Sequence, residues 1–287
     1  MKCGVNLFGT AKWLSDDFSQ DLKLFKEISV TSIEPCVLFS TGQQKYQPEE
    51  LNEEMKARFQ IMKRVIWDAD EAAEKIQQIK DAGLSINSVH IFGVDSKEDL
   101  MDNMNKITNF GKENEIKYFV ISFYHGTKEY VEEMFPGLNA LAKALKEEGM
   151  MLLYHNHETE VRKEQGVILL DYILENCQDV NLELDIGWAQ YGGMNLSKDM
   201  KKYIDRIELL HLKDYNKEFT PADGKDFFTQ IGEGDLCLED ALMECPKDFF
   251  EKDAIIFDQD DGKENIFIDL EIGIKNVKKL YQQRIDS

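Results

Sequence analysis

The chain's five histidines, His90, His125, His155, His157 and His211, each stand at or just past the end of a short β-rich run. Imidazole is the side chain best suited to accept a proton or bind a metal near neutral pH. Carboxylates share these positions: Glu34 after Ser32-Ile33, Asp185 after Leu182-Glu183-Leu184, and Asp258 and Asp260 on either side of Gln259. Strand side chains alternate with period two, so His155 and His157 share a face, as do His211 and Lys213, and Asp258 and Asp260. Imidazole nitrogens and carboxylate oxygens converging from separate strands suit manganese, cobalt, zinc or magnesium, with positions left open for a substrate.

Each residue also has a plainer reading. A lone histidine at a strand end is commonly a hydrogen-bonded structural residue, and that reading is taken for His125, in Tyr124-His125-Gly126-Thr127. His90 is balanced between the two. Glu34 could bond backbone amides or pair with a lysine, and Asp260 and Asp261 precede Gly262, a composition that turn chemistry explains. Asp185 is harder to dismiss, because a carboxylate closing an apolar run is costly to bury without a cation or donors. A lysine beside a histidine in His211-Leu212-Lys213-Asp214 likewise points to catalysis or an anionic ligand.

These positions need a scaffold that brings strand ends together. Eight runs qualify as strands: Cys3–Leu7, Ser32–Val37, Ile86–Ile91, Tyr118–Phe123, Met151–Asn156, Asn181–Ile186, Ile207–Leu212 and Ala254–Asp258. Amphipathic stretches precede them. Ala72, Ala73, Ile76 and Ile79 form one face of a helix over Asp68 to Asp81, closed by Gly83, and Leu138, Leu141, Ala142 and Leu145 form another over Leu138 to Glu148. Eight strands alternating with helices predict a parallel sheet closed into a (β/α)8 barrel, one TIM-barrel domain over residues 1–287. A doubly wound open sheet is the alternative, but Asn6-Leu7-Phe8-Gly9-Thr10 lacks a phosphate-binding glycine pattern. In a barrel the reactive groups gather where the strands end.

Among 287 residues, 34 Lys+Arg stand against 55 Asp+Glu, a net charge of −21. That balance argues against nucleic acid and against an anionic membrane surface as partners. Five scattered cysteines without a CxxC spacing fit reduced thiols. With no signal-like start and no long apolar run, a cytoplasmic protein is expected.

The strings Ser32-Ile33-Glu34, Val89-His90, Tyr154-His155-Asn156-His157, Leu184-Asp185-Ile186-Gly187-Trp188-Ala189, His211-Leu212-Lys213-Asp214, Ile231-Gly232-Glu233-Gly234 and Phe257-Asp258-Gln259-Asp260 run from end to end of the chain. In this order they resemble the xylose isomerase-like TIM barrels, the sugar phosphate isomerase/epimerase superfamily. The resemblance implies one divalent metal, most often manganese, held by His155, Asp185, His211 and Asp258. Two of these depart from the family's epimerases, which carry glutamates at the positions of His155 and Asp258. It further implies His157 and Lys213 as candidate bases, their pKa values drawn towards neutrality, Glu34 and His90 as partners of sugar hydroxyls, and Trp188 as an aromatic wall. A homo-oligomer is expected on the same ground.

The implied activity is isomerisation or epimerisation of a sugar through an enediolate, the proton being removed beside a carbonyl that the metal polarises. Elimination from a keto-sugar or keto-inositol at the same site is the alternative. A non-catalytic sugar-binding or partner-binding barrel is the reading of another class. The family's endonuclease members need more metal ligands and a basic surface, which the net charge of −21 opposes.

Overall fold

All eight expected runs become parallel strands of one sheet. The computed structural model describes residues 1–40, 53–123, 126–164, 166–262 and 265–286. β1 (Gly4–Asn6) pairs with β2, which runs as Ser32–Glu34 and resumes as Cys36–Leu38 beyond Pro35. β3 is split in the same way, into Ser85–Ile86 and Val89–Phe92, each beside one half of β2. β4 (Tyr118–Ile121), β5 (Met151–His155), β6 (Val180–Asp185), β7 (Ile207–Leu212) and β8 (Ile255–Phe257) follow in order, and β8 returns to β1 through Gly4↔Ile256. Proline has no N–H to give its neighbour, which accounts for the break in β2. His90 N still donates to Pro35 O at 2.9 Å across it, so the circuit closes. A closed ring of parallel strands with helical crossovers is a TIM barrel.

Three pairings add to the expected set. Ile66–Asp68 lies along the outer half of β2, and two antiparallel ribbons, Lys163–Glu164 with Val167–Ile168 and Asp214–Tyr215 with Phe228–Thr229, follow β5 and β7.

The helix Ala69–Asp81 begins where Asp68 accepts hydrogen bonds from the amides of Asp70 and Glu71, and it buries Ala72, Ile76 and Ile79. Gly83, at φ +78°, ends it in the left-handed region that a Cβ disfavours. The second expected helix begins ten residues earlier than anticipated, as Lys128–Glu147, and runs through Pro136. Its packing explains the tolerance: a Cβ at Gly137 would stand 3.0 Å from Lys97 Cα and from the Leu100 side chain, so the missing side chain lets it press against the helix Lys97–Asn114. The strands and the inner faces of these helices form one apolar core, into which polar groups enter chiefly near the strand ends. Among the described residues no helix is long and apolar enough to cross a membrane.

Candidate metal centre

His155 and Asp185 are the last residues of β5 and β6, His211 is next to last in β7, and Asp258 directly follows β8. Register brings them level. Asp185 lies opposite His211, Ile256 opposite His211, and Asp258 N donates to Leu212 O at 3.0 Å. All four side chains are buried, and one donor atom from each lies within 4.8 Å of the others.

Asp185 divides its carboxylate. Oδ1 accepts from Trp188 N at 2.7 Å and so caps the helix Ile186–Tyr191, while Oδ2 has no hydrogen-bond donor. The backbone of Asp185 is pinned on both sides by Asn156, whose Oδ1 accepts from Asp185 N at 3.0 Å and whose Nδ2 donates to Asp185 O at 3.1 Å. Asp258 Oδ1 and His211 Nε2 are also buried without a hydrogen bond of good geometry. His211 Nε2 does stand 3.1 Å from Glu183 Oε2 and 3.2 Å from Glu34 Oε1, out of line with both, and its Nδ1 faces Asp258 Oδ2 at 3.3 Å. Two imidazoles and two carboxylates whose ligand atoms lie this close, with Asp185 Oδ2 and Asp258 Oδ1 buried and bare, fit a divalent cation in number and type.

The charges agree with that fit at His155 and Asp258, while His211 and Asp185 would each release a proton as a cation binds. Burial, reinforced by His211, holds His155 well below the usual histidine range, so it is neutral with a lone pair to offer. Burial pushes Asp185 up to about 7, against the opposing pull of Lys213. Asp258 is also pushed up by burial, but Lys213 and His211 more than reverse this and hold it low. His211 rises despite burial, because Glu183 and Glu34 face it.

Beside the ring, Lys213 is buried and charged. Its Nζ lies 2.8 Å from Asp258 Oδ2 and 3.9 Å from Asp185 Oδ2, and it donates to Asp260. Burial lowers its pKa, but these three carboxylates outweigh burial and raise it; the expected shift towards neutrality is therefore reversed for Lys213. His157 also moves away from neutrality rather than towards it. Burial lowers it to about 4, so it is neutral at pH 7, and its ring remains partly open to solvent. Trp188 lies near both, its ring 6.3 Å from that of His157 and 5.1 Å from Lys213 Nζ. Behind Trp188 lie Tyr191, Tyr215, Phe227 and Phe228. Gly187 is obligatory here, since a Cβ would meet Lys213 O at 2.2 Å.

The family pattern for xylose isomerase-like TIM barrels matches residues 51–243, more than half of the chain. The chain belongs to that family. An inosose dehydratase of Clostridium perfringens is 36% identical over 116 residues, 36% of this chain and 38% of that protein. An inosose dehydratase of Clostridium tetani is 31% identical over 124 residues, 38% of this chain and 41% of that protein. The aligned part thus spans about two fifths of the length of these curated relatives. A sugar phosphate isomerase/epimerase of Parabacteroides distasonis superposes with a TM-score of 0.68 at 16% identity, covering 97% of this chain and 98% of that one. The probable 3-DHS dehydratase AsbF of Bacillus anthracis gives 0.66 at 12% identity, covering 97% and 99%. The IolI protein with a binding zinc atom gives 0.64 at 14%, covering 99% of both. The fold is common to all three.

Of the residues singled out in the sequence of this family member, the structure gathers His155, Asp185, His211 and Asp258 into one ring and sets His157, Lys213 and Trp188 beside it. Glu34 and His90 have partners within the protein. Glu34 is fully buried beneath the ring, where Asn6 Nδ2 and Ser88 Oγ donate to it, so its oxygens already have partners. His90 Nε2 is 3.2 Å from Ser122 Oγ and Nδ1 is 3.6 Å from Glu34 Oε1. His125 falls outside the described residues. Asp260, explained above by turn chemistry, instead binds Lys213, whereas Asp261 does turn back, accepting from Gly262 N at 2.7 Å. Glu183 went unnoticed. It is fully buried, its Oε2 lies 3.1 Å from His155 Nδ1, and burial together with Glu34 raises its pKa well above the carboxylate range. The signal was present: Glu183 precedes Asp185 by two and shares its face.

Proposed function

We propose that this chain is a divalent-metal-dependent lyase that removes a β-substituent, water in the simplest case, from a polyhydroxy ketone such as a keto-inositol or keto-sugar. The observation that carries this reading is the pair of proton-moving side chains set beside the four-ligand ring: His157 is a neutral acceptor and Lys213 a charged donor, both near Trp188. Epimerisation also takes one base and one acid, on opposite faces of the carbon, so this pair serves either reaction and does not by itself order them. Elimination is placed ahead of the isomerisation preferred on sequence grounds. The dehydratase names of the relatives support this order.

His155, Asp185, His211 and Asp258 would hold the cation, with manganese expected first among the ions that suit nitrogen and oxygen donors. When bound, such an ion supplies Lewis acidity that makes the C–H next to a carbonyl more acidic. His157 takes that proton. The electron pair moves into the carbon–carbon bond as the β carbon–oxygen bond breaks, and Lys213 gives its proton to the departing hydroxide, which leaves as water. The proton on His157 is released to solvent and Lys213 is recharged from it. Two of the three carboxylates that raise Lys213 belong to the ring, so neutralising the ring also eases the ammonium's release of its proton. Trp188 offers an apolar face to the C–H side of the ring-shaped substrate.

The test uses the manganese-loaded chain with 2-keto-myo-inositol and related keto-sugars in heavy water. Elimination yields an unsaturated or diketone product that absorbs in the near ultraviolet, together with one equivalent of water. Rearranged or epimerised ketone without loss of a substituent returns the isomerase reading. Neither product nor deuterium uptake leaves a binding role.

A further inference from the structure

We infer that Glu183 is a positioning residue that fixes which nitrogen of His155 is free to bind the cation. The inference rests on the metal centre proposed above. Glu183 lies in β6 directly opposite His155, with its side chain fully buried. A single oxygen, Oε2, stands 3.1 Å from His155 Nδ1 and 3.1 Å from His211 Nε2. It therefore faces unlike nitrogens on the two rings. The remaining nitrogens, His155 Nε2 and His211 Nδ1, are turned to the ring carboxylates, 3.9 Å from Asp185 Oδ2 and 3.3 Å from Asp258 Oδ2.

An imidazole has one lone pair to give when neutral, and the hydrogen bond made by its other nitrogen decides where that lone pair sits. Left alone, neutral histidine favours the proton on Nε2, which at His155 is the nitrogen that must be bare. Glu183 Oε2, 3.1 Å from Nδ1, is placed to reverse this preference by accepting from it, a proton held by Glu183 resting on its unpartnered Oε1. At His211 the Glu183 contact is out of line and Glu34 Oε1 stands at a similar 3.2 Å from Nε2, so neither oxygen alone sets that ring. The effect of losing Glu183 therefore falls mainly on His155.

Three measurements on the full chain test this. Nitrogen-15 NMR of the metal-free protein reads the His155 tautomer and should find the proton on Nδ1. Finding it on Nε2 in the parent overturns the inference without needing a variant. In Glu183→Leu the proton should move to Nε2 and manganese(II) affinity should fall 10–100-fold. Glu183→Gln, which keeps a carbonyl oxygen of the same reach, should restore both the tautomer and most of the affinity. If Glu183→Leu unfolds, as judged by far-ultraviolet circular dichroism, the parent and Glu183→Gln still decide. Unchanged affinity and tautomer in a folded Glu183→Leu overturn the inference. So do two manganese ions per parent chain of which Glu183→Gln loses one, since Glu34, His90 and Glu183 also bring ligand atoms within 4.8 Å of one another, and Glu183 would then be a ligand itself. A parent chain that binds no metal sinks the metal centre, while the tautomer measurement still judges Glu183.

Discussion

Asp185 and Asp214 are both buried aspartates near strand ends, 0% and 2% exposed, and they spend their oxygens in opposite ways. Asp214, two residues beyond β7, accepts from the amides of Tyr215, Gly232, Gly234 and Leu236 at 2.7–3.0 Å. It ties down the segment that carries Phe227, Phe228 and the Gly232-Glu233-Gly234 turn. Asp185 takes one amide on Oδ1 and leaves Oδ2 bare. A carboxylate whose lone pairs are consumed by backbone holds a loop in place. One that is equally buried but half used must find its partner elsewhere, and a ring of similar donors stands within reach.

The sharpest break in this comparison comes from the acid assigned to Lys213. Lys213→Met should retain the metal and retain deuterium uptake from heavy water at the carbon beside the carbonyl, because His157 is untouched, yet lose elimination by about 10²–10⁴-fold. Loss of deuterium uptake together with elimination would make Lys213 the base after all. Next in size, Asp185→Asn should lower metal affinity at least about 100-fold, measured by titration calorimetry, since it replaces a charged ligand with a neutral one. Its fold should survive, because the asparagine oxygen can still cap Trp188 N. His211→Ala is expected to lose metal similarly. Asp214→Ala should do the reverse, losing about 3 kcal/mol in denaturant unfolding as buried amides lose their acceptor, while the ring still binds metal. If both aspartate variants lost metal and stability alike, the division between loop anchor and ligand would fail.

Most of the barrel and the ring were legible in the sequence for one reason: period-two alternation fixes which side chains share a face, and a closed parallel sheet brings the ends of its strands to one level. His155, Asp185, His211 and Asp258 needed nothing more than those two rules and a resemblance. What escaped depended on distances across the barrel. Glu183 sits on the same face as Asp185, but that it meets two imidazoles from β5 and β7 follows from register, which local pattern does not specify. The Lys213 partner of Asp260 comes from 47 residues away, so a Gly-flanked aspartate read as a turn. The expected helix began only at Leu138, and the ten residues before it, which run through Pro136, depend on packing at Gly137 against another helix.

The finest separation of Asp185 from an ordinary structural carboxylate lies in how stability depends on pH without metal. Burial raises Asp185 to about 7 in the folded chain, whereas an unfolded aspartate keeps its ordinary value of 3.8. Between these values the unfolded chain has released this proton and the folded chain still holds it, so rising pH favours unfolding as far as this residue is concerned. Asparagine has no proton to release. The stability of Asp185→Asn relative to the parent should therefore increase as pH rises from about 4 to about 7, by at most about 1.4 kcal/mol per pH unit, and level off above. Urea unfolding of both metal-stripped proteins at pH 4, 5.5, 7 and 8 reads this directly. Adding manganese at pH 7 should reverse the order, because the ion stabilises only the parent. A flat difference across the range would mean that Asp185 already ionises at its ordinary value, its bare oxygen supplied with a donor from solvent, and would put it in the same class as Asp214.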